Sequence, residues 1–564
     1  MRGVWRTLVL ATAACGAAVA LYVALTLPPK VIHLPATLAP TVVSGAYHIH
    51  TTRSDGTGSV DDVAAAAARA GLRFVILTDH GDATRPPDPP TYRHGVLCLD
   101  AVEVSTAGGH LVALGLDGPS PYPLGGAPRD VIEDVHRLGG AAIAAHPDSP
   151  KPDLRWRGPG NGFDGIEWLN ADSEWRDETP SRLLVAAVRS LARPAETLVS
   201  LFSRPVRTLQ RWDTAARTRR VFGLAAVDAH ARIGWDETEE PRERTLARWP
   251  SYLTMFRSVT QSVVLDAPLS GDASADARRL LEAIRQARSY SVVGGIASPG
   301  VLEFSATQAG LPVIMGADLP QPGSPVTFHV AVPGAPGARI ALIQNGREVA
   351  TATGTLEYAG VSSPGAYRAE VYLGTNPVPW LASNPIFSRL PVPPRAPDST
   401  MPHSTSQVVA FGAEAPWVIE RDPTSDGRID RTGSSLGLVY RLGPGAPAGQ
   451  YAALSMPVEA AAGFDRVLLT VRATSPMRFS VQLRLPGGRD GQRWRRSVYA
   501  DLTPRAVVIP LQEFEPVDSS TTQQPLVARV RALLFVVDTV NSAPGASGEI
   551  WLSDVSLGVG NPGG

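Results

Sequence analysis

Between about residues 42 and 300, short apolar runs alternate with stretches of helical period. Val42-Val43, Phe74-Val75-Ile76-Leu77, Ala141-Ala142-Ile143-Ala144 and Leu224-Ala225-Ala226-Val227 are short and apolar throughout, and they read as buried strands. Ser59-Val60-Asp61-Asp62 opens an alanine-rich helix that Gly71 stops, and Pro128-Arg129-Asp130 opens another that ends at Gly139-Gly140. Strand and helix in alternation predict βα units and a parallel sheet or barrel. From 301 to 390 the pattern turns to strands and turns: Val326-Thr327-Phe328-His329-Val330, then Ile340-Ala341-Leu342-Ile343 running into the hairpin signal Asn345-Gly346, then Tyr367 to Tyr372. A small β-sandwich is expected there. The proline-rich stretch around 391–406 reads as a stiff linker. Residues 407–560 alternate apolar and polar with no helical period, as in Arg466-Val467-Leu468-Leu469-Thr470-Val471, which predicts a second, larger sandwich.

The N-terminal segment 1–30 contains an uncharged run of 20 residues, Leu8 to Leu27. At about 1.5 Å per residue it reaches roughly 30 Å, the thickness of a bilayer's hydrocarbon core. Arg2 and Arg6 precede it, so the positive-inside rule holds the N-terminus in the cytoplasm and sends the chain from Pro28 onward outside. The expectation is a single-pass transmembrane anchor in the inner membrane, with the bulk of the chain extracytoplasmic or periplasmic.

Composition narrows the chemistry. Lys+Arg 52 against Asp+Glu 53 leaves a net charge of -1, which excludes a nucleic-acid coat, and no nucleic-acid binding is expected. Gly 53 and Pro 51 suit turn-rich β domains. Two cysteines, Cys15 and Cys98, rule out a disulfide framework or a four-cysteine zinc site.

Histidine placement is the informative feature. Of 11 histidines, eight fall between His48 and His230. In His48-Ile49-His50 strand alternation puts both imidazoles on one side, within reach of one metal. Further ligand types follow separate strand-like runs: Asp79-His80, Glu103, His146, and Asp228-Ala229-His230. His110 opens another short strand and Asp55 lies in Ser54-Asp55-Gly56 just past the first. Ligands at the ends of several strands converge on one mouth. Asp79 reads as a residue that orients a ligand through a hydrogen bond. Mixed His/Asp/Glu ligation without thiolate suits two or three divalent ions, Mn, Zn or Fe.

The order His48-x-His50, Ser54-Asp55-Gly56, Thr78-Asp79-His80, Glu103, Gly109-His110, Ala145-His146-Pro147 and Asp228-x-His230 resembles the PHP (polymerase and histidinol phosphatase) family of metallohydrolases over about 45–235. The continuation through Asn384-Pro385-Ile386 is similar to its carbaryl-hydrolase branch, the CehA/McbA type. The resemblance implies a distorted (β/α)7 barrel over 42–300, followed by the two all-β sandwiches. It implies that His48, His50, Glu103 and Asp228 surround one metal, that Asp55, His80 and His230 hold a second, and that Glu103 bridges to a third held with His110 and His146. Asp228, His230 and Glu103 would carry catalysis, with Arg53 gripping the substrate and Arg232 a further candidate beside it.

These readings point first to a phosphoesterase acting through a metal-activated water on a small phosphorylated substrate. The same site acting on an ester, carbamate or amide is the first alternative. An envelope carbohydrate-binding protein with a non-catalytic metal barrel is the second, since Trp417, Trp494 and Trp551 in the β-only region resemble those of galactose-binding or carbohydrate-binding sandwiches. The arginine-rich insert 176–220, interleaved with Leu183, Leu184, Leu191 and Phe202, reads as a helical lid or a basic surface.

Overall fold

In the computed structural model of the chain, the residues described are 2–158, 160, 162–234, 245–247, 249–389, 405–445, 449–458, 463–486, 491–517 and 524–560. They divide into two units. The first comprises Met1–Gly81, Pro86–Gly118 and Val135–Val392, and the second Asp82–Arg85, Pro119–Asp134 and Pro393–Gly564. The expected linker at 391–406 lies almost wholly outside the described residues.

Ten strands frame the site in the first unit: β1 (Val42–Ile49), β2 (Phe74–Leu77), β3 (Val96–Asp100), β4 (Val102–Thr106), β5 (Gly109–Leu114), β6 (Ala141–Ala144), β7 (Gly165–Asn170), β8 (Phe222–Ala226), β9 (Thr260–Val264) and β10 (Ser289–Val292). β1, β2 and β3 run parallel, and β9 and β10 extend that sheet antiparallel beyond β1. A second sheet has the order β8-β7-β6-β5-β4, parallel through β6 and antiparallel from there.

This corrects the expected (β/α)7 barrel. Strands far outnumber helices among the described residues, and they form several mixed sheets. The physical reason lies in the connections. A parallel neighbour needs a crossover of a dozen or more residues, yet Ala101 alone separates β3 from β4, and Ala107-Gly108 alone turns β4 into β5. Those links permit only sharp turns and a hairpin. Helices do fill the longer connections. α1 (Arg2–Thr26) precedes the sheets, and α2 (Val60–Arg69) joins β1 to β2. A Ser59/Asp62 capping box starts α2, which buries Val63, Ala64, Ala66 and Ala67 along one face. α3 (Pro128–Arg137) follows β5. The arginine-rich insert between β7 and β8 becomes α4 (Ala171–Arg176), α5 (Pro180–Arg189), α6 (Pro194–Val199) and α7 (Val206–Ala216), with Leu198, Leu209 and Trp212 turned into the core. α8 (Tyr252–Ser258) and α9 (Ala273–Arg285) flank β9.

The membrane anchor is also corrected. No helix among the described residues is long and apolar enough to cross a membrane. A span needs about 20 apolar residues without interruption. α1 occupies the run in question, where alanine, threonine and glycine interrupt the strongly apolar side chains. The single-pass anchor and the inner-membrane, extracytoplasmic placement built on it are withdrawn.

The β1–β10 sheet continues past residue 300. β10 pairs with Leu381–Ser383, which leads through Gly365–Tyr372 and Arg339–Gln344 to Arg347–Thr353. A separate four-stranded sheet contains Leu311–Ile314, Glu303–Gln308, Pro325–Ala331 and Thr355–Val361. Phe328 stacks on Tyr367 across the two layers at 4.4 Å between ring centroids. The region expected as a small β-sandwich shares a sheet with the site. Asn384 ties the parts together: its side chain accepts from Gly223 N at 2.6 Å and donates to Gly223 O and Ser289 O, holding the start of β8 beside β10.

In the second unit, residues 405–560 build two six-stranded sheets around one apolar core. Trp417, Trp494 and Trp551, which carried the resemblance to carbohydrate-binding sandwiches, are 5%, 0% and 9% exposed and pack inside. Also within this unit, the buried Arg478 guanidinium reaches Asp134 at 2.8 and 2.9 Å and Glu133 at 2.9 Å, so its charge is matched where water cannot reach it.

A comparable cluster in the first unit generates a test. Arg368 is buried between Asp213 of α7 and Glu370, and Arg204 meets Glu370 at 2.7 and 3.1 Å. Burial alone would raise the Glu370 carboxyl, but the Arg368 and Arg204 guanidiniums bring it down to about 2. Arg368→Met leaves Asp213 without its buried counter-charge and Glu370 with Arg204 alone, and should cost about 3–5 kcal/mol, read as a lower urea midpoint at unchanged slope. In the unaltered chain the Glu370 contribution is complete above the ordinary glutamate pKa of about 4.3 and is lost as pH falls toward 2. Equal urea midpoints for the two proteins would refute a stabilising role for the cluster.

Candidate metal centre

Nine side chains, all in the first unit, meet at one place: His48, His50, Asp55, His80, Glu103, His110, His146, Asp228 and His230. Each comes from a strand or from the few residues after one. His48 and His50 close β1, though not by simple alternation. The β1/β2 register breaks between Tyr47 and Ile49, and His48 adopts a left-handed φ of 69°. His146 and Asp228 also have positive φ, 27° and 51°. Such conformations cost about 1–3 kcal/mol each and persist only where the surroundings enforce them. Here the neighbouring backbone does so: Ala229 N donates to His48 O at 3.2 Å, and His50 N to Ala229 O at 3.1 Å. Asp55 sits in a turn that only glycine can complete, because a Cβ on Gly56 would lie 2.2 Å from the His50 carbonyl oxygen.

Glu103 is the hub. Its Oε1 lies 2.8 Å from both His110 Nδ1 and His146 Nε2. Its Oε2 lies 3.2 Å from His48 Nε2 and His50 Nε2 and 3.3 Å from His80 Nδ1. Asp228 Oδ1 approaches the same His48 and His50 nitrogens at 3.4 and 3.3 Å. Asp55 faces His230 at 3.1 Å and His50 at 3.3 Å. Ligand atoms within mutual reach of one ion form four overlapping groups: His50/Asp55/His80/His230, His48/His146/Asp228, His48/His50/Glu103, and His80/Glu103/His110. His50 thus joins the set implied for a second ion, and His146 stands with His48 and Asp228 as well as against Glu103.

The donor chemistry fits divalent ions. His48 Nε2 and His50 Nε2 lie 3.1 Å apart, a spacing suited to two ligands of one cation. Outer partners turn the rings inward: His48 Nδ1 meets Glu167 Oε1 at 2.5 Å, His146 Nδ1 donates to Leu154 O at 3.2 Å, and His230 Nδ1 donates to Asp228 O at 3.0 Å, leaving each Nε2 toward the centre. Electrostatics follow from this crowding. Burial opposes charge on His48, yet Asp228, Glu167 and Glu103 raise it well above the usual imidazole range. Burial would likewise raise Glu103, but His48 and His80 hold it well below the carboxylate range. His80 is pushed down to about 4, chiefly by burial.

Several residues play roles different from those expected, and others were not foreseen. Asp79 accepts from Thr51 N, Thr51 Oγ1 and Ser54 Oγ, each at 2.7 Å, so it braces the turn that carries Asp55 and not a ligand ring. Arg53 pairs with Asp88 and with Asp100, the latter at 3.3 Å, and its guanidinium is committed there. Arg232 donates to Asp55 O at 3.2 Å. Sequence reading missed Glu167, which also accepts from His146 N at 2.7 Å and Asn170 Nδ2 at 2.9 Å, and missed Asn170, which bonds Asp228 Oδ2 at 3.1 Å. The available signal was a lone glutamate in the apolar strand Gly165-Ile166-Glu167-Trp168-Leu169, since a buried carboxylate needs partners.

No protein-family profile matches the chain, and no curated protein does. Among solved structures it is similar to the family 11 carbohydrate-binding module of the cellulosomal cellulase Lic26A-Cel5E of Clostridium thermocellum, at 14% identity over 28% of this chain and 95% of that one, with a TM-score of 0.23. The family 11 module from the same organism in complex with a β-1,3-1,4-mixed-linked tetrasaccharide is similar at 14% identity, over 26% and 88% of the two chains, with a TM-score of 0.21. The family 30 module of its cellulase Cel9D-Cel44B follows at 11%, 27% and 93%, with a TM-score of 0.18. These likenesses assign no ligand to the present chain.

Ligand removal tests the centre. Elemental analysis of the chain purified from metal-supplemented medium should find two or three divalent ions, with at least one lost in His80→Ala. Glu167→Gln, which touches no ion position, should weaken metal binding by about 10–100-fold through the His48 and His146 orientations it releases. Chelation should lower the unfolding temperature of the unaltered chain, because bound metal stabilises only the folded form. Metal-free protein under all of these conditions would dismiss the site.

Proposed function

We propose that the first unit is a metal-dependent hydrolase of the kind implied by the PHP resemblance, acting first on phosphate esters. The supporting observation is the convergence at one place of nine side chains able to ligate metal, Glu103 and Asp228 among them, with neighbouring residues that fix their orientation. Bound divalent ions there would supply Lewis acidity toward a phosphoryl or acyl oxygen and lower the pKa of a water.

The chain's own residues set the approach. His48, His50 and Glu103 have side chains at most 1% exposed, whereas His80 and Asp55 are 35% and 33% exposed, so substrate enters from the His80/Asp55 side. With its pKa lowered to about 4, His80 is neutral at pH 7 and has one ring nitrogen with a lone pair. His230, held between Asp55 and the Asp228 carbonyl, completes the ligand set on this side with its Nε2 toward the centre. Arg53, already paired, is not assigned to the substrate.

Carbohydrate binding by the second unit is a separate reading. With Trp417, Trp494 and Trp551 in the core, it would have to use other groups, and polysaccharide retention by the full chain is the observation that would support it.

The deciding experiment is turnover of phosphomonoesters, phosphodiesters and aryl esters by the full chain with added Mn or Zn. Phosphate-ester hydrolysis should require the metal, and Asp228→Ala should reduce it at least about a hundredfold. Preference for aryl esters or carbamates would move the assignment to acyl chemistry at the same centre. Full activity in Asp228→Ala, or none on any substrate while metals are bound, would refute the hydrolase.

A further inference from the structure

A second concave site lies at the opposite ends of the strands that carry the metal centre. Ala141, Asp164 and Phe222 stand at or just before the starts of β6, β7 and β8, whereas His146, Asn170 and Asp228 close or follow their ends. With Gly140, Arg220 and Arg285 they line a cleft of about 240 Å³. That is smaller than the roughly 300–1,000 Å³ of pockets for drug-sized ligands, and it suits a small ion or a single functional group.

The cleft is cationic, and its guanidiniums are held but not neutralised. Arg285 ends α9, and its Nη2 donates to the carbonyl oxygens of Gly115 and Gly139 at 2.8 Å each. Those carbonyls fix the group without cancelling its charge. Its Nε is buried with no hydrogen-bond partner among the described residues. Arg220 reaches Asp318 at 2.9 Å, but Arg389 holds the same carboxylate at 2.6 and 2.7 Å. Asp164 is the cleft's own carboxylate, and its Oδ2 already accepts from His136 Nε2 at 2.7 Å and Ala142 N at 2.8 Å. Buried donors without acceptors are unusual in native proteins, and a missing ion is one of their ordinary causes. Planar guanidiniums match the spacing of carboxylate and phosphate oxygens. Phe222 and Ala141 leave the rest of the wall apolar, which strengthens an ion pair formed against it.

We propose that this cleft binds a small oxyanion, a phosphate or carboxylate group, between Arg220 and Arg285. The site is independent of the metal centre and of the hydrolase assignment.

The test is calorimetric titration of the full chain with inorganic phosphate and, separately, with acetate, on the unaltered protein, Arg220→Met and His80→Ala. At least one anion should bind the unaltered chain, and which one binds separates the phosphate from the carboxylate source. Arg220→Met should weaken that binding by about tenfold or more, the loss of one charge-assisted donor group, while His80→Ala leaves it within about twofold. Arg220 is the residue to change because Arg389 continues to hold Asp318, whereas Arg285 also supports two backbone carbonyls; unchanged unfolding temperature in Arg220→Met checks that the fold is kept. No binding of either anion to the unaltered chain overturns the proposal. So does binding that survives in Arg220→Met, or that disappears in His80→Ala, since either places the anion elsewhere.

Discussion

A carboxylate buried against five imidazoles is the constraint on which the first unit depends. Glu103 is 1% exposed and has His48, His50, His80, His110 and His146 around its two oxygens. An ionised carboxylate without partners would be excluded from such a place. Once it is there, every element supplying a partner must arrive at a fixed position and orientation. That requirement explains the short link from β3 to β4, which places Glu103 beside His80 in a parallel bridge. It also explains the hairpin that returns His110 to the same carboxylate. The turns that break a regular barrel are the turns that build the site.

Backbone strain is distributed by the same logic. His48, His146 and Asp228 are candidate ligands at positive φ, on three different strand ends. Strain of about 1–3 kcal/mol at each is tolerated because hydrogen bonds outside the centre hold both backbone and ring: Glu167 takes His48 Nδ1 and His146 N, and Asn170 links Glu167 to Asp228. The centre is therefore preorganised by a layer of side chains that touch no ion position. Asp79 performs the equivalent service for the Asp55 turn.

Much of this candidate site was legible in the sequence, because ligand chemistry restricts residue type and every candidate lies in a strand or shortly after one. The supporting layer was less so. Glu167 looks like any single charge in a strand until its depth is known, and the bulge at His48 leaves no mark on a His-x-His spacing. The fold was read less well for a related reason. Apolar runs identify buried strands but do not report their direction, and at β4 and β5 the direction is set by connection length. The same runs cannot reveal that strands beyond residue 300 extend a sheet begun at residue 42. Tryptophans 417, 494 and 551 show the converse difficulty, since a large aromatic has the same spacing whether it faces a sugar or a core.

The shared sheet also bears on how the site keeps its geometry. Asp228 and His230 follow β8, whose start is fixed by Asn384 through both polar atoms of the Gly223 backbone. Gly223 must be glycine for packing reasons as well, since a Cβ there would lie 2.5 Å from the Trp212 ring of the arginine-rich insert. Trp212 in turn lies under Arg368, whose charge is balanced by Asp213 and Glu370. A continuous path of packed and hydrogen-bonded groups thus joins the strands after residue 360, the insert, and the strand that delivers two ligands. Such a path carries positional constraint only if its members are rigid, and buried ion pairs and fully bonded amides are among the most rigid contacts a protein interior offers. The β region after residue 300 is accordingly part of the candidate site's framework, so a first unit truncated there would lose the register of β8 before it lost any of the nine clustered side chains.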